Sequence, residues 1–230
     1  VAKDASVRFT ILDGGLQQAD WDFLCRKVLQ LHPNSRFNRL KPDMRRLKAL
    51  SAWNGEGRMT YARLLLPELL FDTRHVIYCD VDFLWLADVA ELWALRRDDV
   101  ICLGVPDGTE AVIERERRWF ETRGFTFDGA RYFCAGMCLL NLDLCRQMDV
   151  AGKCFSFLSR WPDAQFADQT ALNAVLGERA CIPDVQSLAL LPGKWHRLSR
   201  VVTTADLKGG CAIHYAGDTP WKRSGWYAPL

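Results

Sequence analysis

The sequence has no apolar run approaching the roughly 18 residues that a membrane-spanning helix needs. Its longest candidates, such as Tyr132 to Leu140, are the length of a core strand. None of the nine cysteines forms a C-x-x-C pair, which leaves no local redox or zinc-ribbon signature. Cys134, Cys138, Cys145 and Cys154 remain a conceivable zinc set, at a spacing that ordinary zinc sites do not use. Cys79, Cys102, Cys138 and Cys211 sit in apolar runs and read as small hydrophobes, so reduced thiols and a cytoplasmic setting are expected. A net charge of +2 is too small to argue for nucleic acid. Glycine-rich phosphate loops are missing near the start, which weighs against a nucleotidyltransferase. Val1 to Asp4 hold neither an initiator methionine nor a secretory apolar segment, and the expectation is a chain whose start has been removed.

What is present is ordinary globular material, 49% hydrophobic and 25% charged, enough for one α/β domain over residues 1–230 with a core of its own. Arg8 to Leu12 predicts a strand ended by Asp13-Gly14-Gly15, and Gln17 to Leu31 a helix ended by Pro33-Asn34. Phe37 to Leu40 suggests a short strand. Arg36 to Lys48 carries six basic residues against one acid and reads as a solvated loop, with phosphate-bearing acceptors or a membrane surface as the alternative partners. Arg58 to Leu70 predicts a helix kinked or ended near Pro67. His75 to Cys79 and Val100 to Val105 are near-continuous apolar runs, as in strands of a parallel sheet covered on both faces. Asp88 to Leu95, Thr109 to Thr122 and Ala167 to Leu176 predict helices. Tyr132 to Leu142 and Cys211 to Tyr215 predict strands. The alternation implies an α/β fold with a largely parallel sheet.

Asp80-Val81-Asp82 is the strongest local signal. Two carboxylates directly after a buried strand lie at the sheet's carboxyl edge, where open α/β sheets bind ligands. Once the strand bends, both can reach one divalent ion of the Mn²⁺ or Mg²⁺ kind, although a plain structural turn explains the triplet equally well. His214 ends another apolar strand, and an imidazole added to two carboxylates favours Mn²⁺. His32, His75 and His196 have no such context and read as structural.

Five segments in order resemble glycosyltransferase family 8, which includes lipopolysaccharide galactosyl- and glucosyltransferases and glycogenin. They are Thr60-Tyr61-Ala62-Arg63-Leu64, Val76 to Asp82, Tyr132 to Gly136 with Leu140-Asn141-Leu142, Ala167 to Asn173, and Ile213 to Gly217 before Pro220-Trp221. The resemblance implies a GT-A type fold, a central mostly parallel mixed sheet with helices on both faces. It implies a UDP-galactose or UDP-glucose donor, Mn²⁺, a glycan or lipid-linked saccharide acceptor, and retention at the anomeric carbon. By the same resemblance Asp80, Asp82 and His214 match metal ligands. Thr60, Arg63, Val81, Asp107, Ala135, Gly136, Asp168 and Gly217 match donor-binding positions. Asp168 and Gln169 match the catalytic pair, with Gln169 near the β face of the sugar. Read alone, Asp107 is a turn or cap residue, Asp168 and Gln169 the polar first turn of a helix, and Arg63 an exposed helix residue.

Three departures stand against the family pattern. Cys134 occupies a position that is polar in many relatives. Asp218-Thr219 precede Pro220-Trp221 where a lysine is usual, with Lys222 or Arg223 as substitutes. Arg8 to Leu12 resembles the family's second strand, so the first is expected to be absent. The alternative to an active transferase is therefore a catalytically inactive sugar-nucleotide-binding domain. Gln169 is an amide and a poor nucleophile, so the resemblance favours front-face substitution, the leaving phosphate helping to deprotonate the acceptor, over a double displacement.

Overall fold

A computed structural model describes residues 5–52, 57–86, 88–107, 110–183, 190–192 and 212–215. The chain begins with β1 (Val7–Leu12), α1 (Gln18–Leu31) and β2 (Ser35–Leu40), the two strands pairing in parallel from Val7↔Ser35 to Leu12↔Leu40. The basic segment expected as a loop is instead the rest of β2 followed by α2 (Met44–Lys48), because Asp43 caps that helix by accepting from Arg45 N. Arg58–Leu65 winds as a 3-10 helix and passes into α3 (Leu66–Leu69). Pro67 thus opens the α-helical turn rather than ending it, since a residue in the first turn needs no amide hydrogen.

Next come β3 (His75–Cys79), β4 (Phe83–Trp85), α4 (Val89–Ala94), β5 (Cys102–Pro106) and α5 (Glu110–Glu121). After them stand β6 (Phe133–Asn141), α6 (Leu142–Gln147), α7 (Val150–Arg160), α8 (Asp168–Leu176), β7 (Ala180–Cys181), β8 (Leu190–Pro192) and β9 (Ala212–His214). The main sheet runs β3-β6-β5-β7, and a smaller one β4-β9-β8. Because β6 runs antiparallel to both β3 and β5 while β7 runs parallel to β5, the main sheet is mixed. The apolar run of β3 does not reflect burial on both faces. All five of its residues are half-buried, and among the described residues it pairs with β6 alone.

Strand β6 is the centre of the molecule, with all nine residues buried. Phe133, Ala135, Cys138 and Leu140 enter the larger core, shared with the helices and Trp119, Phe120, Leu142, Leu158 and Leu172. Met137 and Leu139 enter a second core with Leu92, Leu103, Val105 and Ala212. Helices therefore cover one face, while α4 and the smaller sheet cover the other. Helices α6 and α7 were not anticipated. Their signals are short: Asn141 and Asp149 cap them by accepting from Leu144 N and Gly152 N, and Val150, Ala151, Cys154 and Leu158 form the buried stripe of α7.

One irregularity in β6 shapes the site. Gly104 pairs with Cys138 but the next residue, Val105, pairs with Cys134, so Ala135, Gly136 and Met137 bulge away from β5. Their backbone groups become available to side chains instead.

Candidate functional site

Those groups are taken up by residues from three other elements. Ala135 N donates to Gln169 Oε1 at 3.0 Å, Ala135 O accepts from Arg63 Nη1 at 2.6 Å, and Gly136 O accepts from Asp80 N at 2.8 Å. The bulge, the end of β3, the 3-10 helix and the start of α8 are thereby locked together.

Arg63, expected as an exposed helix residue or a donor contact, is 8% exposed and lies inside this frame. Its Nη2 donates to Asp80 at 2.8 and 3.0 Å, its Nε pairs with Asp168 at 2.8 Å, and its guanidinium lies over the Tyr78 ring. Asp168, 3% exposed, also accepts from Thr60 Oγ1 at 2.6 Å. Burial pushes the Asp168 carboxyl up, and the Arg63 guanidinium and Thr60 hydroxyl oppose that push. Thr60, Arg63, Asp80 and Asp168 are thus one buried ionic network.

Asp80 accepts additionally from Tyr78 OH at 2.5 Å. Val81, between the two aspartates, is 95% exposed. Asp82 faces His214, with Oδ1 3.7 Å from Nε2, because β4 and β9 pair Phe83 with His214 and Tyr215 N donates to Asp82 O. The Phe83 ring stacks on the imidazole at 4.2 Å, and Cys134 Sγ lies 3.9 Å from Nδ1. Burial holds the His214 imidazolium below its ordinary range, so the ring is neutral near pH 7. Asp82 Oδ1 is buried and has no hydrogen-bond partner among the described residues.

Gly136 is needed where it stands. A Cβ there would meet Asp80 Oδ2 and the Phe83 ring, each at 2.9 Å, inside normal contact. Asp107 follows β5 and accepts from Gln169 Nε2 at 3.0 Å, and the same nitrogen donates to Tyr132 OH at 3.0 Å. Ala167, just before α8, has φ 49°, a conformation costly for a residue with a Cβ. Gly217, Asp218, Pro220, Trp221, Lys222 and Arg223 lie outside the described residues, as do His196 and Cys211.

The fit to a divalent cation is uneven. Among the described residues no three His, Cys, Asp or Glu side chains converge into a ready-made cage, the proposed cysteine set included. Asp82 and His214 do suit one, since a buried carboxylate oxygen without a partner faces a neutral imidazole at a separation that one ion can bridge. Asp80 is held beside them by Arg63 and Tyr78, and its Oδ2 keeps a lone pair. Tyr78, Phe83 and Tyr132 were not foreseen. Tyr78 was findable, two residues before Asp80 on the same strand face; the Phe83–His214 pair required the sheet.

The fold is of the GT-A type. The description "Glycosyl transferase family 8" matches residues 1–225, and the chain belongs to that family. It is similar to General stress protein A of Bacillus subtilis, 26% identical over 179 residues, covering 76% of this chain. The chain spans 59% of that relative's length. Among solved structures, an active-site mutant of LgtC superposes with TM-score 0.77 at 22% identity, over 98% of this chain and 82% of the other. The galactosyltransferase LgtC in complex with donor and acceptor sugar analogues gives TM-score 0.74 at 24% identity, over 97% and 82%.

Proposed function

We propose that this chain carries the donor side of a retaining glycosyltransferase that moves a hexose from UDP-galactose or UDP-glucose to a glycan or lipid-linked saccharide. A role in building lipopolysaccharide or another cell-surface glycan is part of this reading. The observation that carries it is the buried Asp82 Oδ1, without a hydrogen-bond partner among the described residues, facing neutral His214 beside Asp80 at the strand ends of a family 8 fold.

Electrostatics supports a cation at this place. The carboxylates of Asp80, Asp82 and Asp168 lie around the Arg63 guanidinium, so that among the described residues acids outnumber the cation there, a field that a divalent ion would offset for a diphosphate. Asp82 and His214, with Asp80 Oδ2, would hold Mn²⁺ or Mg²⁺, and the bound ion would stabilise charge on the departing diphosphate. Arg63 is engaged by Asp80, Asp168, Thr60 and the Ala135 carbonyl, so its part is to fix Asp80 and that carbonyl rather than to grip phosphate. Small residues at Ala135 and Gly136 allow a sugar close to the backbone. Asp107 is an acceptor-only group when ionised, the chemistry that suits sugar hydroxyls. Gln169 has both amide hydrogens engaged by Asp107 and Tyr132 and its oxygen by Ala135 N. It lacks the reactivity for a covalent sugar adduct, which favours substitution on the front face.

The test is transfer from UDP-hexose in the presence of Mn²⁺, followed by UDP release and by NMR of the product. A β-linked product sinks the retaining assignment. Donor binding without any turnover supports the inactive-domain alternative instead, which the aspartate and threonine before Pro220 motivate.

A further inference from the structure

Glu116 lies outside the site described above and yet is 0% exposed, an acid in the apolar interior. It projects from α5, and its Oε1 accepts from Thr170 Oγ1 at 3.0 Å. Thr170 Oγ1 in turn accepts from Phe166 N at 2.9 Å, so its one proton belongs to Glu116. Glu116 Oε2 has no hydrogen-bond partner among the described residues. Beside it is the buried Tyr132 hydroxyl: burial raises the proton affinity of both groups, Glu116 raises that of Tyr132 further, and the Tyr132 hydroxyl lowers that of Glu116.

Gln169 connects this acid to the site. Its amide cannot be turned round: Ala135 N–H is a donor and must meet the oxygen, while the Asp107 carboxylate is an acceptor and must meet the nitrogen. The remaining amide hydrogen goes to Tyr132 OH. A tyrosine hydroxyl that accepts from Gln169 has to send its own proton elsewhere, and Glu116 is the acceptor at hand. Charges facing Glu116 are Arg115 on its own helix and Asp107 across the site.

We propose that Glu116 is a positioning residue which, through Tyr132 and Thr170, sets the orientation of the Gln169 amide and the first turn of α8. The inference rests on the glycosyl-transfer reading for its consequence but not for its geometry. Glu116→Gln keeps size and shape and removes only the charge, presenting an NH₂ that competes with the tyrosine proton.

The experiment uses the full 230-residue chain labelled with ¹⁵N-glutamine, the Gln169 side-chain amide being assigned through Gln169→Met. In the wild type this signal is expected to move with pH between about 5 and 8 as Glu116 titrates; in Glu116→Gln and in Tyr132→Phe it is expected to stay flat. In transfer assays Glu116→Gln should lower kcat about ten- to hundredfold, the scale of a small misplacement of a reacting group, with donor KM changed less than about twofold. A Gln169 signal that titrates alike in all three proteins, or unchanged kcat in both variants of an active wild type, overturns the proposal. If the wild type does not turn over UDP-hexose, the functional reading fails while the amide signal still decides the role of Glu116. Should Glu116→Gln not fold, Tyr132→Phe carries the same comparison.

Discussion

Replacing Arg63 by methionine isolates the buried ionic network. The substitution keeps side-chain length, so little volume is lost, but Asp168 at 3% exposure and Asp80 lose their common cation. Breaking a buried pair by removing one partner costs about 3–5 kcal/mol, because the charge left behind is poorly solvated. For a protein of this size that corresponds to a midpoint lowered by roughly 6–20 °C. Thr60 and Tyr78 still donate to the orphaned carboxylates, which favours the lower half of the range. The deficit has a sign with pH. Burial already raises Asp168, and without the guanidinium the folded protein holds that proton to higher pH, so the loss is largest in alkali and shrinks in acid. Adding Asp168→Asn should recover part of the stability, with a coupling energy of about 1–3 kcal/mol. Urea unfolding of the four proteins at pH 5 and pH 8 measures this cycle. A loss below about 1 kcal/mol for Arg63→Met, or additivity in the double variant, refutes the idea that this network holds the site together.

Asp82→Asn should weaken Mn²⁺ binding at least about tenfold and lower turnover steeply while the unfolding midpoint holds; Mn²⁺ titration and a transfer assay check both. Gly136→Ala drives a methyl against Asp80 and Phe83, and should cost about 1–3 kcal/mol in thermal unfolding while weakening the same metal site. Burial raises the Glu116 carboxyl from an ordinary 4.5 to about 7, so the folded state keeps a proton the unfolded chain releases. Stability should therefore fall as pH rises from about 4.5 to 7, by up to roughly 3 kcal/mol, and Glu116→Gln should flatten that slope in urea titrations.

Several strands and helices were legible where periodicity and punctuation agreed. Arg8 to Leu12, Gln17 to Leu31 and Tyr132 to Leu142 became β1, α1 and β6 within a residue or two. The apolar run of β3 was legible as a strand but not as a half-buried one, since composition records the taste for a core and not the neighbour that supplies it. Helix α7 escaped because its buried positions are small and mixed with Gly152 and Lys153. In the site, Asp80 and Asp82 announced themselves by spacing, and His214 by its place at a strand end. The burial of Arg63 could not be read from its own helix, because it depends on Asp168, more than a hundred residues later. Glu116 gave no signal at all. On an amphipathic helix it reads as one more solvated acid until Thr170 and Tyr132 are placed beside it.

The bulge at Ala135–Met137 has a consequence for how this surface can change. Its contacts to Gln169, Arg63 and Asp80 run through main-chain atoms, which persist whatever side chain is encoded. A replacement at Cys134 or Ala135 therefore alters the lining of the site while its anchoring hydrogen bonds persist, within the volume that Phe133 and Phe83 leave. Drift at Cys134 and Ala135, both buried, is limited by volume alone, whereas drift at Gly136 also meets the Asp80 carboxylate and the Phe83 ring. Libraries that vary Cys134, whose Sγ lies beside His214, among residues of similar size against a fixed Gly136 should accordingly yield folded proteins whose preferences differ, a division of labour between a permanent frame and an editable lining.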